Sequence, residues 1–422
     1  MMSANHRGAR GVSLIELMVA LAIGSLLILG LVQVFAGSRT AYQLSAGLAR
    51  TQENGRFAID ILQRDLRMAG HMGCVNDQAR FLPANVTASR PALLSTFLSL
   101  DEQFGTGSGP LTNYAGAIDP LRFDRGIEAF NAVGSSSGNT LSLNATPTLA
   151  TAATNWQPQM PARLYADLTG GTVGRPIVGS DVVVLRYFMP TGTQVTSFVP
   201  GTTTTIEIAN PAPLLEGDTN PGLFGISDCM QAGVFNATTR NAAGDMTVVA
   251  SGLNRSTFDT VPQFTIGQSM VYRAESVAYY VGLNQADNPA LYRLRYFATP
   301  GGALSTEKEE LVEGIESMQL QFGQDSNTST TGRPTGNIGT SVAAGSLLPA
   351  GAANYDHAWR RVGLVQVGLL ARSPEPAAAQ QRVGDDVPRL SVLGVIIAPP
   401  DDTLYRAVYE DTVALRNRLF GN

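Results

Sequence analysis

The most regular feature of this chain is an apolar run near its start. From Val12 to Ala36 the residues are almost wholly apolar, and Glu16 is the only ionisable one. Coiled as a helix at 1.5 Å per residue, the run spans roughly 37 Å, enough to cross a hydrocarbon core of about 30 Å. Beyond Ala36 the pattern becomes amphipathic. Leu44, Leu48, Ala58, Ile59, Leu62, Leu66 and Ala69 recur largely at three- and four-residue steps, while Arg50, Glu53, Arg56, Asp60 and Arg64 fall mostly off that stripe. One continuous helix from about Val12 to Ala69, ended by Gly70 and Gly73, accounts for both patterns. The stripe over 44–69 is expected to lie in the core of the domain that follows, with Gly37, Gly47 and Gly55 as points of bending or local melting.

Residues 74–422 read differently. Segments 182–187, 276–281, 291–296, 318–322 and 362–370 are strand candidates, several of them alternating apolar with polar or small residues. Asn284-Gln285-Ala286-Asp287-Asn288-Pro289 sits between the second and third and predicts a hairpin. Stretches rich in Gly, Ser, Thr and Asn at 104–118, 133–155, 200–204 and 325–346 read as loops or surface insertions. The expected fold class is therefore α+β, a long N-terminal helix packed on a β-rich globular domain with long insertions. The expected division is 1–11 as a leader, 12–36 as the membrane half of the helix, 37–73 as its amphipathic half, and 74–422 as the globular domain.

Composition narrows the chemistry mainly by exclusion. A hydrophobic share of 44% can bury a sizeable core. The formal charge of -5 argues against a nucleic-acid binder, which needs a basic face. His71 and His357 have no convincing partners at metal-ligand spacing. The stretch from Asp325 to Gly332 superficially resembles a calcium loop, but Thr330 and Gly336 stand where an EF-hand needs glycine and glutamate. Gly134-Ser135-Ser136-Ser137-Gly138 fits G-x-S-x-G literally but lies in a Gly/Ser/Asn-rich stretch rather than between a strand and a helix. Asp385-Asp386 and Asp401-Asp402 read as solvated turn residues. No enzyme, cofactor or metal site is expected. In an exported chain the pair Cys74 and Cys229 is a disulfide candidate, the alternative being two buried thiols that never meet.

The N-terminus supplies the address. An ordinary secretory signal has an apolar region of roughly 7–15 residues, shorter than this one and without a carboxylate. The stretch Gly11-Val12-Ser13-Leu14-Ile15-Glu16-Leu17, behind the basic residues Arg7 and Arg10, instead resembles the prepilin signal of type IV pilins and type II secretion pseudopilins. That resemblance implies cleavage between Gly11 and Val12, N-methylation of Val12, and an assembly role for Glu16, fifth in the mature chain. Further along, 56–70, 311–323 and 405–419 resemble stretches of PilW-type minor pilins. The implied protein is a minor pilin of a bacterial type IV pilus, held in the inner membrane with its globular domain in the periplasm and later part of the cell-surface pilus. There it would prime assembly, with a place at the pilus tip compatible with that role. Implied partners are the prepilin peptidase, other minor pilins, the major pilin and a tip adhesin. A type II secretion pseudopilin, or a tip adhesin or binding module in its own right, stands as the alternative.

Overall fold

The computed structural model describes residues 13–75, 93–99, 119–259, 264–328, 335–347, 355–377 and 390–415. Helix α1 runs unbroken over Leu14–Met68. Its composition favours this, since it contains no proline and is rich in Leu, Ala, Arg and Gln. Glu16 stands in the first turn, where the helix dipole favours a carboxylate. The helix stops where Gly70 adopts a φ of 71°, and the Gly70 amide then bonds Arg186 O at 3.0 Å, turning the chain into a sheet. Gly37, Gly47 and Gly55 neither break nor melt it, contrary to expectation.

The residues that α1 buries are Gly47, Thr51, Gly55, Ala58, Leu62 and Leu66, at steps of four and three. Leu44 and Leu48 remain 40% and 36% exposed, so the expected stripe is corrected at its upper end. The reason is steric. A Cβ on Gly47 would collide with Ala377, and one on Gly55 with the Tyr409 ring, so only glycine permits this closeness. A search for apolar periodicity selects the flanking leucines and passes over the small residues that make the contact.

Most of the remainder is antiparallel sheet. The strands that matter are β1 (Ile127–Ala132), β2 (Val182–Val199), β3 (Leu223–Ser227), β4 (Ala232–Asn236), β5 (Met270–Leu283), β6 (Pro289–Phe297), β7 (Ser305–Glu313), β8 (Ile315–Asp325), β9 (Ile338–Val342), β10 (Val362–Arg372) and β11 (Arg406–Ala414). In the first sheet β1 pairs with β2, β2 with β5, β5 with β6 and β6 with β7, while β3 and β4 extend it at the far end of β5. The second sheet has the order β9-β8-β10-β11. All five strand candidates lie inside longer observed strands, and the expected hairpin is β5–β6, in register from Ser276↔Tyr296 to Leu283↔Pro289. Its turn closes on Asn284, whose side-chain oxygen accepts the amides of Ala286 and Asn288.

Gly314 carries the chain from the first sheet to the second with φ 82°. Its amide bonds Pro289 O while its carbonyl accepts the Arg372 amide at 2.7 Å. Helix α1 lies where the two sheets diverge. Its Ala58, Leu62 and Leu66, with Ala69 just past its end, share one core with Leu185, Tyr279 and Val281 of the first sheet and with Val365, Val367, Leu369 and Val413 of the second. The opposite face of the second sheet is covered by a small sheet of Leu390–Val392, Val395–Ala398 and Thr140–Ser142, packed through Val392, Val395 and Ile397 on Leu370. The fold class is thus α+β, a long helix followed by a strand-rich domain.

Candidate functional site: an anchor helix and its grip

The helix has two halves of opposite character. Residues from Leu14 to Phe35 present Leu, Ile, Val, Met and Phe on every side, and none of them is buried by the rest of the protein. A helix apolar all round requires an apolar environment of its own. Glu16 is the only charge among the described residues of that half. Gly11 and Val12 lie outside the described residues.

The second half is held at several heights. Near its top, Gly47 meets Ala377, and Arg50 pairs with Glu375 at 3.5 Å across the surface, a contact worth little by itself. About one turn beyond Arg50, Asn54 Nδ2 donates to Glu313 O at 2.9 Å, at the passage between the sheets. Gly55 rests on Tyr409 of β11. Further down, Gln63 Nε2 donates to Asp411 of β11 at 2.8 Å. On the other side the Tyr279 hydroxyl of β5 donates to Asp65, with Arg293 of β6 at 4.0 Å. Burial pushes the Asp65 carboxyl up from its ordinary range, partly opposed by the Tyr279 hydrogen bond and the Arg293 charge. Gln63 and Asp65, two residues apart, therefore grip different sheets, because they project from different sides of α1.

The wall that receives the helix is itself cross-tied. Glu316 of β8 lies between Arg406 of β11 at 2.6 Å and Arg372 of β10 at 3.3 Å, and Arg406 reaches on to Asp402 at 2.7 Å. These side chains are largely buried, so removing one partner would strand a charge. Asp402, expected to be a solvated turn residue, is instead a partner in this network; Asp385 and Asp386 lie outside the described residues. A second buried set, Arg122, Asp124 and Arg360 with Asp356, joins the loop before β1 to the segment before β10.

The two cysteines form a disulfide with Cα atoms 4.8 Å apart, tying the chain just past α1 to the turn after β3. His71 is occupied structurally, its Nδ1 lying 2.7 Å from Phe188 O. The side chain of His357 lies outside the described residues. The Asp325 carboxylate accepts the amides of Asn327, Thr335 and Gly336 and closes a turn. Among the described residues, no three His, Cys, Asp or Glu side chains converge as a metal site. Ser135 is buried, donating to Ala132 O at 2.8 Å in the turn after β1, and no helix follows it.

Residues 278–417 match the family model for type IV pilus-assembly protein W, and residues 6–32 match the prokaryotic N-terminal methylation motif. The chain is thus similar to two such models over separate stretches, one at its N-terminus and one in its C-terminal third. Among solved structures, the type IV-like pilin TTHA1219 from Thermus thermophilus is 14% identical over 55% of this chain and 87% of its own, with a TM-score of 0.18. That superposition is too poor to carry a comparison of folds. No curated protein matches the chain. The matched stretch 278–417 contains Tyr279, Glu313, Ala377, Tyr409 and Asp411, which contact the second half of α1, while the methylation-motif match covers part of the exposed half. Two stretches far apart in sequence are thus united by one helix. The sequence pattern found the helix but not these gripping residues; the one local signal was the spacing of Gly47, Thr51, Gly55 and Ala58.

Proposed function

We propose that this chain is a minor pilin that primes assembly of a bacterial type IV pilus from the inner membrane. Prepilin peptidase cleaves between Gly11 and Val12, Val12 is N-methylated, residues 12–36 span the membrane, residues 37–73 form the amphipathic half, and residues 74–422 form the periplasmic domain. Other minor pilins and the major pilin are its partners, and the assembled protein resides at the pilus tip, against an adhesin. The role is structural, without catalysis. The observation that carries this reading is the union of a bare apolar helix bearing Glu16 with a PilW-type region that grips the same helix further along. A membrane anchor rigidly coupled to its domain transmits docking between helices to the domain, as an assembly subunit requires.

The mature N-terminus tests this reading directly. Mass spectrometry of the membrane fraction should find a start at Val12 carrying one methyl group. A start at Gly37 would mean an ordinary secretory signal and would overturn the proposal. Deleting the gene in a strain without a paralogue should reduce surface pili; normal piliation would remove the priming role.

A further inference from the structure

The sulfur chemistry of this protein is concentrated at one exposed turn. Both cysteines are in the disulfide and no free thiol remains, so a mild oxidant finds only thioethers. Of the methionines among the described residues, Met72, Met160, Met246 and Met318 are no more than 2% exposed, and Met68, Met189 and Met270 are partly buried. Met18 is 62% exposed but belongs to the apolar half of α1, which lipid or detergent covers. Met230 is 62% exposed and lies beside Cys229, at the end of α1 opposite its apolar half.

The turn that displays Met230 is held from within. The Asp228 carboxylate accepts the amides of Met230 at 2.7 Å and Gln231 at 2.8 Å. It also accepts Thr265 N at 3.2 Å from the neighbouring turn, whose Ile266 is 54% exposed. With the disulfide, these bonds keep the backbone in place whatever happens to the side chain. Met230 and Ile266 thus stand on cross-tied turns as two apolar knobs.

We propose that Met230 is an oxidant-modification site, converted by peroxide-class two-electron oxidants to the sulfoxide while the fold stays intact. The sulfur lone pair attacks one peroxide oxygen, the O–O bond breaks and an S–O bond forms. The sulfur is oxidised by two electrons, and the other oxygen leaves as water after proton transfer. The product replaces an apolar knob by a strong dipole, so this turn becomes polar at its exposed point, and methionine sulfoxide reductases can restore it.

Treatment of the full chain in detergent with hydrogen peroxide, followed by peptide mass mapping over time, tests this. Met230 should gain one oxygen about tenfold or more faster than Met72, Met160, Met246 or Met318, because susceptibility follows exposure. The singly oxidised protein should keep the unmodified thermal midpoint, and Met230→Leu should abolish the early modification. Oxidation spread evenly over the methionines of the globular domain, or Met189, Met270 or a buried methionine of that domain reacting first, would overturn the proposal. So would a lowered midpoint in the singly oxidised protein, which would make Met230 part of the packing.

Discussion

Gly55 of α1 lies flat against the ring of Tyr409 on β11, with no room for even a methyl group between them. A glycine in a helix interior costs about 1 kcal/mol of propensity relative to alanine. Here the loss permits the helix to reach the C-terminal strand, where Gln63 and Asp411 then bond two turns further on.

Gly55→Leu should therefore destabilise the protein by about 1–3 kcal/mol through overpacking, despite its better helix propensity. Gly37→Ala, at a position with nothing within 4 Å, should be neutral or stabilising by up to about 1 kcal/mol. Thermal unfolding in detergent compares the two. Equal midpoints would mean that α1 is not docked as described.

Glu16→Ala should leave membrane insertion and cleavage largely intact, since it makes the span more apolar. Co-purification of the processed protein with other minor pilins should fall. Under the proposed processing, cleavage would free an α-amine at Val12, and a carboxylate in an apolar setting needs such a cation, which an adjoining subunit would supply. Wild-type recovery of partners by the cleaved variant would refute an assembly role for Glu16.

The fully buried carboxyl of Asp181 joins the two sheets, one oxygen accepting the Ala132 amide at 2.7 Å and the other the Leu320 amide at 2.8 Å. Burial pushes its pKa up to about 7, against the opposing pull of these hydrogen bonds. The folded state thus holds a proton that the unfolded state releases at ordinary carboxylate pH. Its stabilising contribution is complete below about pH 4 and is lost as pH rises through about 7. Relative to Asp181→Asn, which cannot titrate, the wild type should lose thermal midpoint across that window. A constant difference between the two at every pH would exclude titration of Asp181 there.

Replacing both cysteines by serine should lower stability by about 5 kcal/mol in the chain-entropy model, because the bond closes a loop of 155 residues. Denaturant midpoints with and without reductant measure it. An unchanged midpoint on reduction would show that the unfolded chain gains no freedom when the bond is cut.

How much was legible beforehand depended on how local each cause is. The bare half of α1, the strands and the β5–β6 hairpin follow from periodicity and turn residues within a few positions of one another, so sequence alone sufficed. The prepilin-like segment is local too, a glycine and a glutamate at fixed spacing before an apolar run. Tertiary structure decided which face of the amphipathic half is buried. That choice rests on Gly47 and Gly55, whose lack of a side chain matters only opposite Ala377 and Tyr409. It also decided that Gln63 and Asp65 face different sheets, that Asp402 is a partner of Arg406, and that Asp181 spans the seam between sheets. Most of these contacts join residues from about fifty to several hundred positions apart, and even the four-residue pair Asp402 and Arg406 is buried only because Glu316 comes in from another strand, so no local pattern in the chain encodes them.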